Sequence, residues 1–185
     1  MPAAETVGPR TRQIRARDTV SRSKQNFVLQ QGLETSPQAC EVQYGALRFQ
    51  PWLVMAAIVV GIVLQSTGLF LALSAVLGWS ALLPRWNPFD LLYNRTIGRR
   101  PDRFTLPPAP GPRRFAQGLA GALALAIGVS LSFEWRVVAY SLEAFLATAV
   151  AALAFGRFCL GSFVFHLLRG RSSFARRTLP WGPGV

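Results

Sequence analysis

Three stretches of the chain contain no charged residue, and their apolar character is the dominant pattern of the sequence. They lie between Arg48 and Arg85, between Arg114 and Glu134, and from Glu143 to Arg157. A transmembrane helix needs about 20 mainly apolar residues. The runs show no period-two alternation of the kind that marks a β-barrel. The pattern therefore predicts an all-α integral membrane protein.

The first of these stretches is too long for one span. The polar tetrapeptide QSTG at 65–68 divides it, its glycine suits a tight turn, and Pro84 ends the second half. We predict a bundle of four transmembrane helices, arranged as two antiparallel hairpins, over about residues 46–65, 69–83, 115–133 and 137–157. The apolar residues that follow, up to Leu168, are expected at or beyond the interface, after a break near Gly156 or Gly161.

The basic residues indicate the orientation of these spans. Seven Lys and Arg residues lie in the sequence through Arg48, seven between residues 84 and 114, and five from Arg157 onward, whereas the two remaining connectors carry almost none. Four spans place the three basic segments on one side, and the positive-inside rule makes that side cytoplasmic. Both termini are therefore predicted to be cytoplasmic. A single long first helix would put basic segments on opposite sides.

The order of segments predicts three parts: a basic tail over 1–45, a four-span domain over 46–168, and a basic tail over 169–185. Too few apolar residues precede Phe27 to fold alone, so the first tail is expected to be disordered unless a partner binds it. Its charges suit anionic lipid headgroups or an acidic partner. Nucleic acid is not expected, because the membrane explains the charges and no aromatic residues alternate with them. The candidate contacts in this tail are Arg10, Arg12, Arg15 and Arg17.

The segment between the second and third predicted spans is more organised. Asn87, Pro88 and Asp90 form a helix start, and an apolar stripe follows at helical spacing. We predict a short amphipathic helix over Pro88–Ile97 at the cytoplasmic surface, followed by a proline-rich extended segment. The candidates here for contact with lipid or a partner are Phe89, Tyr93, Arg113 and Arg114.

Composition narrows the possible chemistry. The hydrophobic fraction is 51% and the charged fraction 15%, with a net charge of +12, two cysteines and one histidine. These numbers argue against a soluble α/β enzyme, an acidic disordered chain, a disulfide scaffold and a metal site built by this chain alone. The sequence also lacks a Ser-His-Asp set and a phosphate-binding loop. We predict no catalytic residues, no cofactor and no metal.

Three single residues remain candidates. Cys159 is either a reactive thiol, favoured by nearby Arg157, or a small packing residue. Glu143, an intramembrane carboxylate, either relays protons or binds a cation, or has a structural partner such as Arg136 or Gln65. His166 either ligates a partner's cofactor or lies unliganded at the interface. Small residues at Gly118, Ala122, Ala147 and Ala151 predict close-packing faces, which join the third and fourth spans or a neighbouring subunit.

Three motifs together suggest a family. They are RWNPFDLLYN at 85–94, RRFAQ at 113–117 and FGRFCLG at 155–161. The chain resembles, over roughly Ala46 to Leu168, a bacterial family of small four-span membrane proteins catalogued as a domain of unknown function, DUF4395. The resemblance implies a bacterial inner-membrane location and, because many members end in Cys-x-Gly-Cys and occur beside thioredoxin-like or sulfur-transfer proteins, thiol or sulfur chemistry. Cys159 matches that ending, and Ser162 stands in place of the second cysteine.

Two functional hypotheses follow. The first is a non-enzymatic accessory or scaffold subunit of a larger membrane complex, whose partners are membrane lipids and other membrane subunits. It rests on the absent chemistry, the small packing faces and the basic tail. The alternative is a thiol-dependent membrane partner in sulfur or redox metabolism that uses Cys159.

Overall fold

The computed structural model of the protein describes residues 22–100 and 103–184. Helices make up 74% of the structure, and the described residues include no β-strand. Residues 22–30 are helical and are called α1. The helices that follow are α2 (Pro37–Leu47), α3 (Phe49–Leu64), α4 (Thr67–Leu82), α5 (Pro88–Thr96), α6 (Gly111–Ser132), α7 (Arg136–Ala154), α8 (Leu160–Leu168) and α9 (Ser172–Arg177).

Four apolar helices form the body of the protein. Neighbours in space are α3 with α4, α4 with α6, α6 with α7, and α7 with α3, so the four close into a bundle of antiparallel neighbours. Its core includes Ile58, Phe70, Ile127 and Leu146, which are all but inaccessible to solvent. We call the end where α3 and α6 begin the arginine-rich end, and the end with the turns at 65–66 and 133–135 the turn end.

Three helices are long and apolar enough to cross a membrane, namely Ala39–Leu64, Gly111–Ser132 and Arg136–Ala154. Thr67–Leu82 is apolar but shorter, at 16 residues. The first of these helices begins earlier than the predicted span at 46, because α2 continues into α3 through Arg48. The helix is interrupted at Arg48, between α2 and α3. Pro51 has no amide hydrogen, so it cannot donate to the carbonyl of Leu47, four residues earlier.

The turn at residues 65–66 divides the first apolar stretch as predicted, but through a different residue. Gln65 adopts a left-handed conformation with a φ of 45°, and the side chain of Ser66 caps α4 by accepting from the amide of Leu69. Gly68 lies inside α4 and makes no special turn. The polar residues therefore end one helix and start the next through capping, and not through glycine's conformational freedom.

The small residues of α6 pack against α4. A Cβ added at Gly121 would lie 3.3 Å from the backbone nitrogen of Gly78, and one added at Gly128 would lie 2.8 Å from Leu71. Gly118 of the predicted face also lies against α4, because a Cβ there would be 3.6 Å from that of Ala81, so these glycines join the third span to the second and not to the fourth. Ala122 is exposed. The glycine face is thereby used within the bundle.

Residues predicted to belong to the N-terminal tail fold over the arginine-rich end of the bundle. Phe27, Val28, Tyr44 and Leu47 are buried in a second apolar cluster with Tyr93 of α5. Residues 22–45 were expected to be disordered, but they are folded, because apolar residues of α1 and α2 pack together there. Residues 1–21 lie outside the described part.

The C-terminal segment is also folded. The side-chain amide of Asn26 donates to the carbonyl of Leu179 at 2.9 Å, and Thr178 is fully buried. The segment predicted as a basic tail over 169–185 contains α9 and packs against α1, because buried polar groups of both segments satisfy one another.

Candidate functional site

The short connection between α7 and α8 places Cys159 inside the protein. Arg157 adopts a φ of 56°, and Cys159 is the residue that precedes the first turn of α8. Helix α8 lies so close to α6 that a Cβ at Gly161 would be 2.6 Å from the Cα of Ala116. This close packing leaves Cys159 only 4% exposed.

Gln30 holds both ends of α8. Its side-chain oxygen accepts a hydrogen bond from the amide of Cys159 at 3.0 Å, and its backbone carbonyl lies 3.2 Å from Nε2 of His166. Gln30 is completely buried, and His166 is 3% exposed. Helix α1 therefore contributes directly to the surroundings of the thiol, although 129 residues separate Gln30 from Cys159.

Several buried polar atoms of α8 and of Gln30 have no hydrogen-bond partner among the described residues. Ser162 and His166 are four residues apart on α8 and so lie on one face. Within the described part of the chain, no partner is found for Nε2 of Gln30, Oγ of Ser162 or Nδ1 of His166. Each such atom costs about 1–3 kcal/mol. A group of them is typical of a site that water or a ligand completes. We call Gln30, Cys159, Ser162 and His166 the Cys159 cluster.

The histidine of this cluster is neutral near pH 7. Burial lowers the pKa of His166 below its ordinary value, and the charge of Arg171 lowers it further, while the hydrogen bond to the carbonyl of Gln30 acts in the opposite direction. Since Nε2 faces a carbonyl, the proton resides there. The unpartnered Nδ1 is therefore a hydrogen-bond acceptor.

A cleft at the arginine-rich end reaches Cys159 from the interior of the bundle. Its walls are mostly apolar, with Phe27, Val54 and Leu77 among the lining side chains, and Cys159 lies in one wall. The polar side chains in the lining are Gln31, Gln50, Arg113 and Gln117. Gln117 is 4% exposed, and its Oε1 has no partner among the described residues. The cleft therefore brings together a thiol and an unpartnered acceptor. A second, apolar cleft between α6 and α7 also reaches Cys159.

A buried ion pair supports the polar side of the cleft. Arg113 donates to Asp90 at 2.5 Å and to Gln50 at 2.8 Å, and Gln50 also accepts from Gln117 at 2.9 Å. Asn87 donates to the other carboxylate oxygen of Asp90 at 2.9 Å. Burial raises the pKa of Asp90, while the charge and hydrogen bond of Arg113 and the bond from Asn87 act to lower it.

Glu143 lies near the turn end, far from Cys159 along α7. It is 3% exposed, and its carboxylate accepts from the side-chain amide of Gln65 at 3.3 and 3.2 Å. Of the two partners considered from the sequence, Gln65 is the one found, and no ion pair joins Glu143 to Arg136 among the described residues. The contact gives the carboxylate a structural role in joining the two hairpins.

Most of the described residues predicted to contact lipid or a partner are not at the surface. Tyr93 is 3% exposed and packs against Phe49, with ring centroids 5.4 Å apart. Phe89 packs on the bundle core, and Arg113 is buried. The predicted helix start is present, because Asn87 accepts from the amide of Phe89 at 3.1 Å. Of the apolar stripe, Phe89 and Tyr93 pack on the protein, whereas Leu92 is 48% exposed. Of the four described candidates, only Arg114 is exposed, with its Nε bonded to the carbonyl of Ala81. The four tail arginines lie outside the described residues.

Four polar side chains of the site were not predicted from the sequence, namely Gln30, Gln50, Asp90 and Gln117. Gln117 ends the RRFAQ motif and Asp90 belongs to the helix start, so both were visible as motif members without an assigned role. Gln30 lies outside every motif, and no local signal could have linked it to Cys159. In the described part of the chain, no group of three His, Cys, Asp or Glu residues is placed to hold a metal ion.

The fold and the site together define an all-helical bundle with membrane-length apolar helices and a buried thiol at its arginine-rich end. The chain belongs to the family described as Domain of unknown function (DUF4395), whose family model matches residues 42–170. No curated protein and no solved structure matches the chain.

Proposed function

We propose that the chain is a multi-pass protein of the bacterial inner membrane, with four spans and both termini in the cytoplasm. Exposed apolar side chains on α3, α4, α6 and α7 support this placement. Exposed aromatic residues occur at both ends of the bundle, with Phe133 and Trp135 at the turn end and Trp79 and Trp86 at the other. Such belts are typical of the two membrane interfaces. The basic residues cluster at one end, which the positive-inside rule makes cytoplasmic.

Its function, we infer, is that of a thiol-dependent membrane partner in sulfur or redox metabolism, with Cys159 as the reacting group. The observation that carries the proposal is the setting of Cys159. The thiol lines a cleft and stands at the start of α8, and Gln30, which bonds the amide of Cys159, has a buried Nε2 without a partner among the described residues. A residue used only for packing does not need such surroundings.

The proposed step is exchange of the thiol with a small disulfide. The Cys159 thiolate, its proton released to solvent, attacks one sulfur of R–S–S–R. A Cys159–S–S–R bond forms as the reagent's own disulfide bond breaks, and the leaving thiolate takes up a proton. Cys159 is oxidised and the departing sulfur is reduced. Ser162 occupies the position where a second thiol would resolve the product, so the mixed disulfide persists until an external thiol removes it.

The accessory or scaffold subunit of a larger membrane complex is kept as a second proposal. The side chain of Trp181 at the arginine-rich end favours it, at 78% exposure, because tryptophan is enriched at protein interfaces. The small-residue face of α6 no longer supports it, since that face is occupied within the bundle.

Intact-mass measurement on the full chain in nanodiscs tests the thiol proposal. Incubation with cystamine is expected to add one half-cystamine to the wild type and to Cys40→Ala, and none to Cys159→Ala. Cys40 is a matched control, because it is equally buried at 3%. Adducts only at Cys40, or none in the folded chain while the unfolded chain reacts at both cysteines, would overturn the proposal. If the thiol is unreactive and the Cys159→Ala variant co-purifies with the same partners as the wild type, the accessory-subunit proposal is favoured.

The orientation has its own test. In a chain with both cysteines replaced by alanine, Ser132→Cys at the turn end and Thr105→Cys in the proline-rich segment provide exposed labelling sites. An impermeant maleimide applied to intact cells is expected to label Ser132→Cys only. Labelling of Thr105→Cys from outside would contradict the four-span arrangement.

A further inference from the structure

A third, open cleft lies on the surface of the arginine-rich end, and no residue of the Cys159 cluster lines it. It is formed where α2 meets α3, and α5 and the chain after it make the opposite wall. Arg48, Arg100 and Arg103 line it together with the aromatic residues Tyr44, Trp52 and Tyr93. We call it the basic cleft.

The charges in the basic cleft do not cancel. Lys24 and Glu41 also line it, but they bind each other, with Nζ 2.6 Å from each carboxylate oxygen. Arg48 and Arg100 therefore leave a net positive charge in the lining. Arg48 donates through Nη2 to the carbonyl of Ala154, the last residue of α7, at 3.3 Å. Its Nε is buried without a partner among the described residues, so the guanidinium retains unused donors.

The position of the cleft matches the edge of the apolar body. Arg48 and Trp52 lie at the start of α3, and the Arg48 guanidinium is 5.4 Å from the Trp52 ring and 5.5 Å from that of Tyr44. Trp52 packs edge-on against Phe155, at the end of α7, with centroids 5.0 Å apart. Trp52 and Phe155 are 41% and 67% exposed. An arginine beside exposed aromatic and apolar surface suits a ligand that has an anionic head and an apolar tail.

We propose that the basic cleft binds the phosphate headgroup of one anionic phospholipid, whose acyl chains lie along the surface beside Trp52 and Phe155. Arg48 and Arg100 are the phosphate-binding residues, since arginine presents a planar fork of donors that matches phosphate oxygens. The apolar surface next to the arginines favours a lipid over free phosphate, which would gain nothing from it. This proposal is independent of the thiol chemistry, because no residue of the Cys159 cluster lines the basic cleft.

The test uses the full chain reconstituted in nanodiscs of phosphatidylethanolamine and phosphatidylglycerol, then released into mild detergent for native mass spectrometry. The wild type is expected to retain one phosphatidylglycerol. Each of Arg48→Gln and Arg100→Gln should weaken retention about fivefold, and the double variant roughly twenty-five-fold, as judged from the attraction of single basic residues to anionic lipid. Arg85→Gln is the matched control, since Arg85 is an exposed arginine outside the cleft.

Three results would overturn the proposal. The first is equal retention of phosphatidylglycerol by all four variants. The second is equal retention of phosphatidylglycerol and phosphatidylcholine in nanodiscs that contain both. The third is displacement of the lipid by millimolar inorganic phosphate, which would show that the cleft recognises a free anion. Because the hydrogen bonds described for Arg100 are made by its backbone and not by its side chain, Arg100→Gln keeps the test decisive if Arg48→Gln disturbs the end of α7.

Discussion

Arg113 and Asp90 form a buried ion pair between the start of α6 and the first turn of α5. The guanidinium donates to the carboxylate at 2.5 Å, and the two side chains are 6% and 8% exposed. This pair fastens the connection between the two hairpins to the arginine-rich end of the bundle, directly beside the cleft that contains Cys159.

Removing one member of this pair should strongly destabilise the protein. Asp90→Asn leaves the Arg113 guanidinium buried without a counter-charge, which typically costs about 3–5 kcal/mol. The measurement is thermal unfolding in mild detergent. Arg114→Gln is the control, because this neighbouring arginine is exposed and makes one hydrogen bond to a backbone carbonyl. If Asp90→Asn unfolds at the same temperature as Arg114→Gln, the ion pair does not stabilise the position of α5.

The contact between Gln65 and Glu143 can be separated from the backbone strain at Gln65. Gln65 and Glu134 both adopt a left-handed conformation, with φ values of 45° and 56°, and glycine relieves that strain at either position. Only Gln65→Gly also leaves a buried carboxylate without its partner. We expect Gln65→Gly to be less stable than Glu134→Gly by about 1–3 kcal/mol.

A second substitution tests the cause of that difference. Adding Glu143→Leu to Gln65→Gly removes the unpaired carboxylate and should restore most of the lost stability, since an apolar replacement of similar shape has no polar group to satisfy. Equal thermal stability of Gln65→Gly and Glu134→Gly would show that the Gln65–Glu143 contact contributes little.

His166 should make stability depend on pH below neutrality. Burial, reinforced by Arg171, holds its folded-state pKa below the ordinary value, so the unfolded chain binds more protons once the pH falls below about 6.5. The contribution of the neutral His166 to the free energy of unfolding is therefore fully present above that pH, and it is lost as the pH decreases toward the folded-state pKa.

The measurement is the midpoint of thermal unfolding between pH 7.5 and 5.5 for the wild type and His166→Gln. The wild type should lose more stability across this range than the variant, whose amide has no proton to gain. Parallel curves for the two proteins would contradict a buried, neutral His166.

Gly161 is expected to tolerate no side chain. A Cβ there would lie 2.6 Å from both Cα and Cβ of Ala116, and backbone atoms of α6 cannot move aside cheaply. We expect Gly161→Ala to cost about 1–3 kcal/mol through overpacking and to shift the start of α8, where Cys159 lies.

Gly78→Ala is the control for this prediction. Gly78 is also helical, and a Cβ there would meet nothing within 4 Å, so alanine should be neutral or stabilising by about 0.5–1 kcal/mol. The measurement is the thermal unfolding midpoint of each variant compared with that of the wild type. Similar stability of Gly161→Ala and the wild type would mean that α8 packs less closely on α6 than the structure indicates.

The local features of the fold were readable from the sequence. Asn87 and Pro88 marked the start of α5, the charge-free stretches marked the four apolar helices, and the polar residues near Gln65 marked the turn between two of them. These signals depend on residues a few positions apart, or on the mean hydropathy of one helix. They are therefore present in any short window of the chain.

The sequence by itself determined that the protein is all-helical, strongly apolar and basic at one end. The tertiary structure decided how residues 22–47 fold, which face of α6 meets α4, and that Gln30 of α1 bonds to both Cys159 and His166. It also placed Arg113 against Asp90 instead of at a lipid surface. The reason is physical: a polar side chain can be satisfied by any complementary group that the fold brings near. That choice depends on contacts between residues up to 156 positions apart, such as Asn26 with Gly182, and not on neighbours in the chain.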